Sequence, residues 1–425
     1  MIPSIEKQSK EDIKSFQEER LKEALQYLQV NSPFYQRHFQ KHQIVISKIK
    51  SLDDLTHIPT TSKDDLQQAN WDFLCVPRSK VVEYTSTSGT MGRPVTIALT
   101  EKDIQRLAYN EFLSLTCADG SPNDIYQLLL TLDRQFMAGI AYYEGIKKIG
   151  AGVVRIGPGL QAMQFETILS IKPSTLIAVP SFIIKLIDFA NQNGITLNQT
   201  SVKKIVCIGE NIRTPSFQLN SLGKKITEHW NVQLYSTYAS TEMQTAFTEC
   251  VHGLGGHHHP ELIIIEVLDE NNLPVKSGEA GDLTITSLGI EAMPLLRYKT
   301  GDVVKLHEGN CVCGRGTTRV SPIIGRRQHM IKLKGTSIYP FQIFEILHQL
   351  NISEYVVEVF TSHLGTDELK IHVVAEEPIS ALIKDRLQSH LRVLPEIVFA
   401  SSKEIEQMQF ADGSRKPKKF IDRRV

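Results

Sequence analysis

The stretch YTSTSGTMGRPV, at residues 84–95, is the strongest single indication of the fold and function of this chain. Three Thr, two Ser and two Gly lie between Tyr84 and Arg93, flanked by the β-like runs KVVEY and VTIAL. Hydroxyls and unhindered backbone N–H groups suit a loop wrapped around phosphate oxygens. The spacing is not that of a Walker loop. Taken alone, such a stretch is more often a mobile hairpin turn, so both interpretations stay open at this point.

The segments around this loop alternate between strand and helix patterns. Between about 81 and 306, β-rich runs such as QLLLTL, STLIAV and KKIVCIG are separated by helical stretches, which predicts βα repeats and a largely parallel sheet. Residues 261–269 and 281–287 are typical of antiparallel strands, with the turn signal DENN after the first. Residues 10–43 have the apolar spacing of one or two amphipathic helices.

The pattern changes after Gly325, where a basic stretch, GRRQHMIKLKG, precedes about a hundred residues with two strand-like runs, a helix near 380–394 and a basic end. We therefore predict an α/β protein with two domains. The large N-terminal mixed α/β domain covers 1–327, and a small α+β domain covers 328–425 on a hinge.

Composition excludes several classes of function. The 425 residues contain 47 Lys+Arg and 47 Asp+Glu, so no single-sign field favours nucleic acid or a membrane surface as a partner. The longest apolar runs, at 128–132 and 262–265, are far shorter than the ~20 residues of a membrane span. The charged N-terminal segment lacks the apolar region of a secretory signal, so we expect a cytoplasmic protein whose six cysteines are reduced.

Further segments follow the glycine loop in a fixed order: YASTE at 238–242, YKTGD at 298–302, GRRQHMIKLKG at 325–335 and RKPKKFIDRR at 415–424. With them, the chain resembles the adenylate-forming superfamily of acyl-CoA synthetases and adenylation domains nearly end to end. It is most similar to the phenylacetate–CoA ligase family, through SPFYQRHF, IPTTSKDDL and NCVCGR. It departs from the family pattern at four positions: Arg93 for Lys, Ala239 for Gly, Gln328 for Asp and Arg415 for Gly.

The resemblance implies a reaction in two halves. A carboxylate attacks the α-phosphorus of ATP to give an acyl-adenylate and pyrophosphate, and CoA then displaces AMP to form a thioester. Positioned donors and a metal would supply most of the catalysis, because charge builds on phosphate oxygens. The resemblance assigns nucleotide binding to the following residues: Thr87, Ser88, Gly89, Thr90, Gly92, Arg93, Gly209, Glu210, Tyr238, Ala239, Ser240, Asp302 and Arg326.

Within that set, the resemblance gives Tyr238 the adenine ring and Asp302 both ribose hydroxyls. Glu242 would bind Mg²⁺, a hard cation that prefers oxygen ligands, and Thr241 would donate to the α-phosphate. Without the resemblance, Glu242 is better explained as a solvated acid at a helix start. Asp302 also fits a turn, since Thr-Gly-Asp is good turn chemistry.

The resemblance implies two further roles, for residues of the basic segments at 325–335 and 415–424. Lys416 is the candidate catalytic lysine of adenylation, although only its register separates it from Lys418 and Lys419. The alternative is a frayed basic tail. After adenylation the small domain is expected to rotate and present Lys332 and Gly335 to CoA, where a bare Cα lets the pantetheine arm pass close to the backbone.

The segment 250–313 carries a separate predicted metal site. Cys250, Cys311 and Cys313 with one histidine make a set typical of structural zinc. The alternative is three reduced thiols beside surface histidines, because a CxC pair is a weaker signal than CxxC. Strand alternation places His257 and His259 on one face and His258 on the other, and register with subfamily members that carry this site favours His257.

Four functions are compatible with these features. They are an aromatic acid–CoA ligase, an adenylating enzyme that transfers the acyl group to a carrier protein, an adenylating enzyme that makes no thioester, and a nucleotide-binding protein without catalysis. The small carboxylic acid is not readable from the sequence, and its aromatic nature is an inference from the family. Its pocket is expected from 134–142, 208–210 and 235–239, where Phe136 and Tyr238 could flank a flat ring, although a Phe in such a stretch is more often a core residue. A homodimer would be unsurprising.

Overall fold

The computed structural model describes residues 2–87, 94–333, 336–361, 367–376, 379–391, 395–411 and 417–424, with only the backbone at 333, 336 and 337. These residues form two compact units, one made of 2–87 and 94–323 and the other beginning at 324. The predicted boundary at 327/328 lies inside the second unit, and the hinge there stays a prediction. Within the described ranges, no helix is both long and apolar enough to span a bilayer.

The first unit begins with two helices, in the region 10–43 where one or two were predicted. Ser9 caps the first of them by accepting a hydrogen bond from the Asp12 N–H. Thr100 and Asp103 form a reciprocal capping box at the start of the longest later helix. The bounds are α1 Lys10–Asn31, α2 Pro33–Lys41, α3 Lys63–Gln68, α4 Glu101–Cys117, α5 Met137–Ile149, α6 Gln161–Ser170, α7 Pro180–Gln192 and α8 Ser221–His229.

The strands of the first unit confirm the predicted mixture of parallel and antiparallel pairing. Their bounds are β1 Val81–Ser86, β2 Thr96–Thr100, β3 Ile125–Leu128, β4 Gly152–Arg155, β5 Thr175–Ala178, β6 Lys204–Cys207, β7 Gln233–Ser240, β8 Thr245–Thr248, β9 Gly256–His257, β10 Ile263–Leu268, β11 Ala280–Ser287, β12 Tyr298–His307 and β13 Arg319–Val320. The central sheet has the order β4-β3-β5-β6-β7-β8 and is parallel except for β8. Strands β10, β11 and β12 form an antiparallel meander, and β1 and β2 form a separate antiparallel pair.

The central sheet is covered on both faces, as a parallel sheet requires. One cluster packs Phe165, Leu186 and Trp230 of the α6–α8 side against Ile205. The opposite cluster contains Leu115, Tyr142 and Ile146 from α4 and α5. Because β6 and β7 are parallel neighbours, their carboxyl ends lie at the same edge of the sheet. This edge is where ligands bind in open α/β sheets.

The second unit is a small α+β domain, as predicted. Its elements are β14 Gly325–Arg326, β15 Ile331–Leu333, β16 Thr336–Ile338, α9 Pro340–Gln349, β17 Tyr355–Thr361, β18 Asp367–Val373, α10 Ile379–Leu391, β19 Glu396–Phe399, α11 Ser402–Gln409 and β20 Phe420–Asp422. Its main sheet has the order β19-β18-β17-β20. Buried aliphatic side chains of α9, α10, β17 and β18 form a core of its own.

Candidate functional site

The carboxyl end of β7 carries the predicted YASTE residues. The Ser240 hydroxyl accepts a hydrogen bond from the Met243 N–H at 3.3 Å, and the Ser240 carbonyl accepts one from the Gln244 N–H at 3.2 Å. These two hydrogen bonds hold the turn that contains Thr241 and Glu242, and both side chains are half-buried. These residues follow directly where the parallel sheet ends.

Tyr238 and Asp302 are in direct contact. The Tyr238 hydroxyl donates to Asp302 Oδ2 at 2.7 Å, and the Tyr238 ring stacks on Phe247 with centroids 6.0 Å apart. Asp302 is 4% exposed, and its backbone N–H donates to the Thr300 hydroxyl at 3.2 Å. Sequence reasoning assigned these two side chains to adenine and ribose separately. Their hydrogen bond was missed, because no local signal links residues 64 positions apart.

Gly209 and Glu210 follow β6 at the same edge of the sheet. Gly209 has a φ of +74°, in the left-handed region that favours glycine. The Glu210 carboxylate accepts hydrogen bonds from the Ser181 N–H at 2.8 Å and the Ser181 hydroxyl at 3.0 Å. Ser181 lies in the first turn of α7, so Glu210 satisfies a free N–H group at the helix start. Sequence reasoning did not find this structural role.

The base of the glycine loop is held by Thr87. Its N–H donates to the Val95 carbonyl and its hydroxyl accepts from the Val95 N–H, both at 3.0 Å. The Thr87 hydroxyl thus closes the loop between β1 and β2. The other predicted phosphate ligands, Ser88, Gly89, Thr90, Gly92 and Arg93, lie outside the described residues.

A strained turn precedes Phe136, the residue predicted to flank the acid. Arg134 and Gln135 have φ values of +58° and +57°, a conformation that costs roughly 1–2 kcal/mol per residue for an L side chain. The Gln135 carbonyl accepts a hydrogen bond from the Ser86 N–H at 2.9 Å. The turn is therefore tied to the strand that leads into the glycine loop. Phe136 itself is half-buried.

In the second unit, Arg424 holds the segment predicted to be the hinge. Its guanidinium donates to the carbonyls of Gln328 and Met330, each at 2.8 Å, and to Asp367 Oδ2 at 3.0 Å. The Lys332 N–H donates to the same Asp367 oxygen at 2.7 Å, and the Lys332 side chain is exposed. Residues 328–332 are thus bound to the body of their own unit. The Gln328 side chain plays no part in this contact.

Three other residues of this unit were predicted to contact the nucleotide, the acyl phosphate or CoA. Of these, Arg326 is exposed, and Gly335 and Lys416 lie outside the described residues. Gly325 packs against the Tyr339 ring, where a Cβ would come within 2.2 Å of a ring carbon. Glycine is required there by close packing, a constraint that sequence alone did not reveal.

Cys250, His257, Cys311 and Cys313 come together, with their ligand atoms within 4.8 Å of one another. Cys250 Sγ lies 3.7 Å from Cys311 Sγ, and Cys313 Sγ lies 3.5 Å from His257 Nε2. A zinc tetrahedron with Zn–S bonds of ~2.3 Å and a Zn–N bond of ~2.05 Å has edges of about 3.8 Å and about 3.6 Å. The observed separations fit these edges, so the residues present are suited to the ion. All six cysteines are free of disulfide bonds.

The protein environment separates the thiol pKa values of this cluster. Burial raises the pKa of Cys250 to about 12. Burial also acts to raise the pKa of Cys313, but hydrogen bonds from His257 and Arg315 outweigh it and lower that pKa to about 5. Burial lowers the pKa of His257, which favours the neutral imidazole that a metal requires.

The two neighbouring histidines have other partners. His258 Nε2 is hydrogen-bonded to the Ile263 carbonyl at 2.6 Å, and burial lowers its pKa to about 4. His259 Nδ1 lies 2.5 Å from Glu6 Oε1. Glu6, on the 3-10 helix Ile5–Lys7, is fully buried and also accepts a hydrogen bond from Arg315. Sequence reasoning missed Glu6, because it stands in an ordinary charged segment hundreds of residues from its partners.

A buried acid lies in the contact between α4 and α5. Glu111 is 3% exposed; its Oε1 accepts from the Asn110 amide at 3.1 Å, while Oε2 has no hydrogen-bond partner among the described residues. The two helices approach closely, since a Cβ on Gly145 would lie 2.3 Å from Glu111 Cβ. Burial raises the pKa of Glu111 to about 8.

Comparison with known proteins identifies the class. The family model for the AMP-binding enzyme matches residues 16–292. The phenylacetate–coenzyme A ligase of Thermus thermophilus is 30% identical over 88% of this chain and 84% of its own length, and that of Escherichia coli is 28% identical over 81% and 78%. A crystal structure of 2-hydroxyisobutyryl-CoA ligase in the postadenylation state superposes with a TM-score of 0.85, at 22% identity, over 99% of this chain and 94% of the other.

The fold and these matches define an adenylate-forming enzyme. The chain belongs to the AMP-binding enzyme family and, within it, to the phenylacetate–CoA ligase family. It is accordingly an AMP-forming acid–thiol ligase that works through an acyl-adenylate.

Proposed function

We propose that this enzyme activates a small aromatic carboxylic acid with ATP and transfers the acyl group to free CoA. The observation that carries the proposal is the grouping of Tyr238 and Asp302 by the open edge of the sheet, where Thr241 and Glu242 also follow β7. The phenylacetate–CoA ligases that the chain resembles support the aromatic class of acid. Phe136 and Tyr238 are the rings expected to contact it.

The proposed roles follow the charges of the reaction. In the first half, a carboxylate oxygen bonds to the α-phosphorus and pyrophosphate leaves. The glycine loop holds the phosphates, Asp302 accepts from ribose hydroxyls and Lys416 bridges the forming acyl phosphate. Mg²⁺, when bound through Glu242, would neutralise phosphate charge. In the second half, the CoA sulfur bonds to the acyl carbon and AMP leaves, with Lys332 and Gly335 beside the pantetheine arm.

We also propose that Cys250, His257, Cys311 and Cys313 bind a structural zinc ion. The fit of two ligand separations to a tetrahedron supports this, as does the choice of three thiolates and one imidazole. When bound, the ion would cross-link three chain segments of the first unit. The zinc ion needs no role in the reaction, since all four of its coordination positions would be filled by protein ligands.

A cytoplasmic location and a homodimer stay predictions.

The test is to separate the two half-reactions. Pyrophosphate release that depends on an added aromatic acid, followed by AMP release that depends on free CoA, is expected. A Lys416→Ala variant should lose most acid-dependent pyrophosphate release but still convert supplied acyl-adenylate with CoA. Lys403→Ala, which removes an exposed lysine of the same unit, is the matched control. Acid-dependent pyrophosphate release without a CoA requirement for AMP release would instead indicate another acceptor.

A further inference from the structure

The proposed zinc site has an outer contact that the ligand set does not explain. Arg315 follows Cys313 by two residues, is 3% exposed, and its Nη1 donates to Cys313 Sγ at 3.6 Å. Its Nε donates to Glu6 Oε2 at 2.8 Å. A guanidinium has rigid, planar donor geometry, so fixing one edge of it fixes the direction of the other. Glu6 therefore directs the Arg315 donor at one of the three ligand sulfurs.

Glu6 is itself held from several sides. Its Oε1 lies 2.5 Å from His259 Nδ1, and its backbone carbonyl accepts from the Gly316 N–H at 2.7 Å. The Arg315 carbonyl in turn accepts from the Cys311 N–H at 2.8 Å. The N-terminal 3-10 helix is thus connected to the loop that carries two of the four ligands.

The charge of the proposed zinc cluster explains why a buried guanidinium lies beside it. Three thiolates around a divalent zinc ion leave a net charge of about −1 on the cluster. A buried net charge is costly unless a counter-charge lies beside it. Arg315 supplies the positive charge on the Cys313 side, and Glu6 compensates Arg315 in turn. On the other side of the cluster, His257 Nδ1 has no hydrogen-bond partner among the described residues, so the outer support is concentrated on the cysteine.

We propose that Glu6 and Arg315 are positioning residues of the zinc site, with Arg315 orienting and stabilising the Cys313 thiolate and Glu6 acting through Arg315. This inference rests on the zinc proposal above. Outer contacts of this kind typically change metal affinity by about tenfold to a hundredfold when removed. The effect of Glu6 should disappear once Arg315 is gone, because a residue that acts through another has no independent effect.

The experiment measures metal release from the full chain. Zinc content of the purified wild-type protein is determined first, and its release to an excess of chromogenic chelator is then timed. Arg315→Met should release zinc about tenfold to a hundredfold faster. Glu6→Gln should release it faster by a smaller factor, and adding Glu6→Gln to Arg315→Met should change nothing further. Arg315→Lys, which keeps the charge without the fork, is the variant to use if Arg315→Met does not fold.

The control and a spectroscopic readout separate this role from general destabilisation. Glu266→Gln weakens another buried Arg–Glu pair, Arg297–Glu266, which contacts none of the four ligands in the described ranges, and should release zinc at the wild-type rate. With cobalt in place of zinc, the thiolate-to-cobalt absorption band should shift in Arg315→Met and stay unchanged in Glu266→Gln. Wild-type protein without zinc would refute the zinc proposal. Zinc-loaded wild-type protein with equal release rates and bands in all variants would refute this inference alone.

Discussion

The buried acid Glu111 gives a prediction whose size follows from the structure. The pKa of Glu111 is about 8 in the folded protein, against a usual value of 4.5, because burial disfavours the carboxylate. Between these values the folded protein keeps a proton that the unfolded chain has lost. The contribution of Glu111 to folded stability is therefore greatest below about pH 4.5, decreases as the pH rises, and stops decreasing above about 8.

The expected slope is about 1.4 kcal/mol per pH unit, since one unit of pKa corresponds to that free energy. Glu111→Gln has nearly the same shape but binds no proton. The free energy of unfolding of the variant minus that of the wild type should therefore increase with pH, by about 3 kcal/mol between pH 5 and pH 7. Groups that titrate in both proteins cancel in this difference.

Guanidinium unfolding followed by tryptophan fluorescence is a suitable assay. Both tryptophans, Trp71 and Trp230, lie in the first unit, so the signal reports on the unit that contains Glu111. Glu19→Gln, at an exposed position on α1, is the matched control. A difference between Glu111→Gln and wild type that stays constant from pH 5 to pH 8 would refute the reasoning.

Three other predictions test contacts described above. Tyr238→Phe removes the hydrogen bond that holds the Asp302 carboxylate in place, so the KM for ATP should rise. The bond lies within the protein, so only part of its ~1.5–3 kcal/mol changes nucleotide affinity, and a rise of severalfold is expected. An unchanged KM would contradict a role of this contact in nucleotide binding. Gly325→Ala forces a Cβ against the Tyr339 ring and should destabilise the second unit by about 1–3 kcal/mol, measured as faster hydrogen exchange there, with no change in the first unit. Arg424→Ala removes the donors to the carbonyls at 328 and 330, so hydrogen exchange over 327–332 should accelerate while β17 keeps its protection. Exchange over 327–332 at the wild-type rate would show that Arg424 does not hold this segment.

The sequence was sufficient to predict elements whose pattern is local. Runs such as 176–178 are continuously apolar because both faces of a parallel strand are buried, and this strand was assigned correctly. The paired strands 263–268 and 280–287 and the helices over 10–41 followed from alternation and helical spacing. The resemblance to the adenylate-forming enzymes assigned nucleotide binding to residues on these elements, and that assignment stays a prediction. Two of the assigned residues, Tyr238 and Asp302, are hydrogen-bonded to each other.

The remaining features depend on packing between distant segments. Glu6 and Glu111 have the same sequence surroundings as solvated acids, since charged residues are common on helix surfaces. Only the tertiary structure shows that each is buried, one against a histidine and an arginine and the other against a neighbouring helix. Glu210 likewise pairs with a helix start 29 residues earlier, where nothing in its own segment predicts a capping role.

The four proposed zinc ligands and Glu6 are made at very different times during synthesis of the chain. Cys250 and Cys311 are 61 residues apart, and Glu6 and Arg315 are 309 apart. At roughly 5–20 residues per second, Cys250 emerges several seconds before its partner sulfur, and Glu6 waits about 15–60 s for its guanidinium. If the proposed site binds zinc, its capture is a late event in synthesis, because the fourth ligand, Cys313, is made last. The Cys250 thiol must then stay reduced until Cys311 and Cys313 have been made.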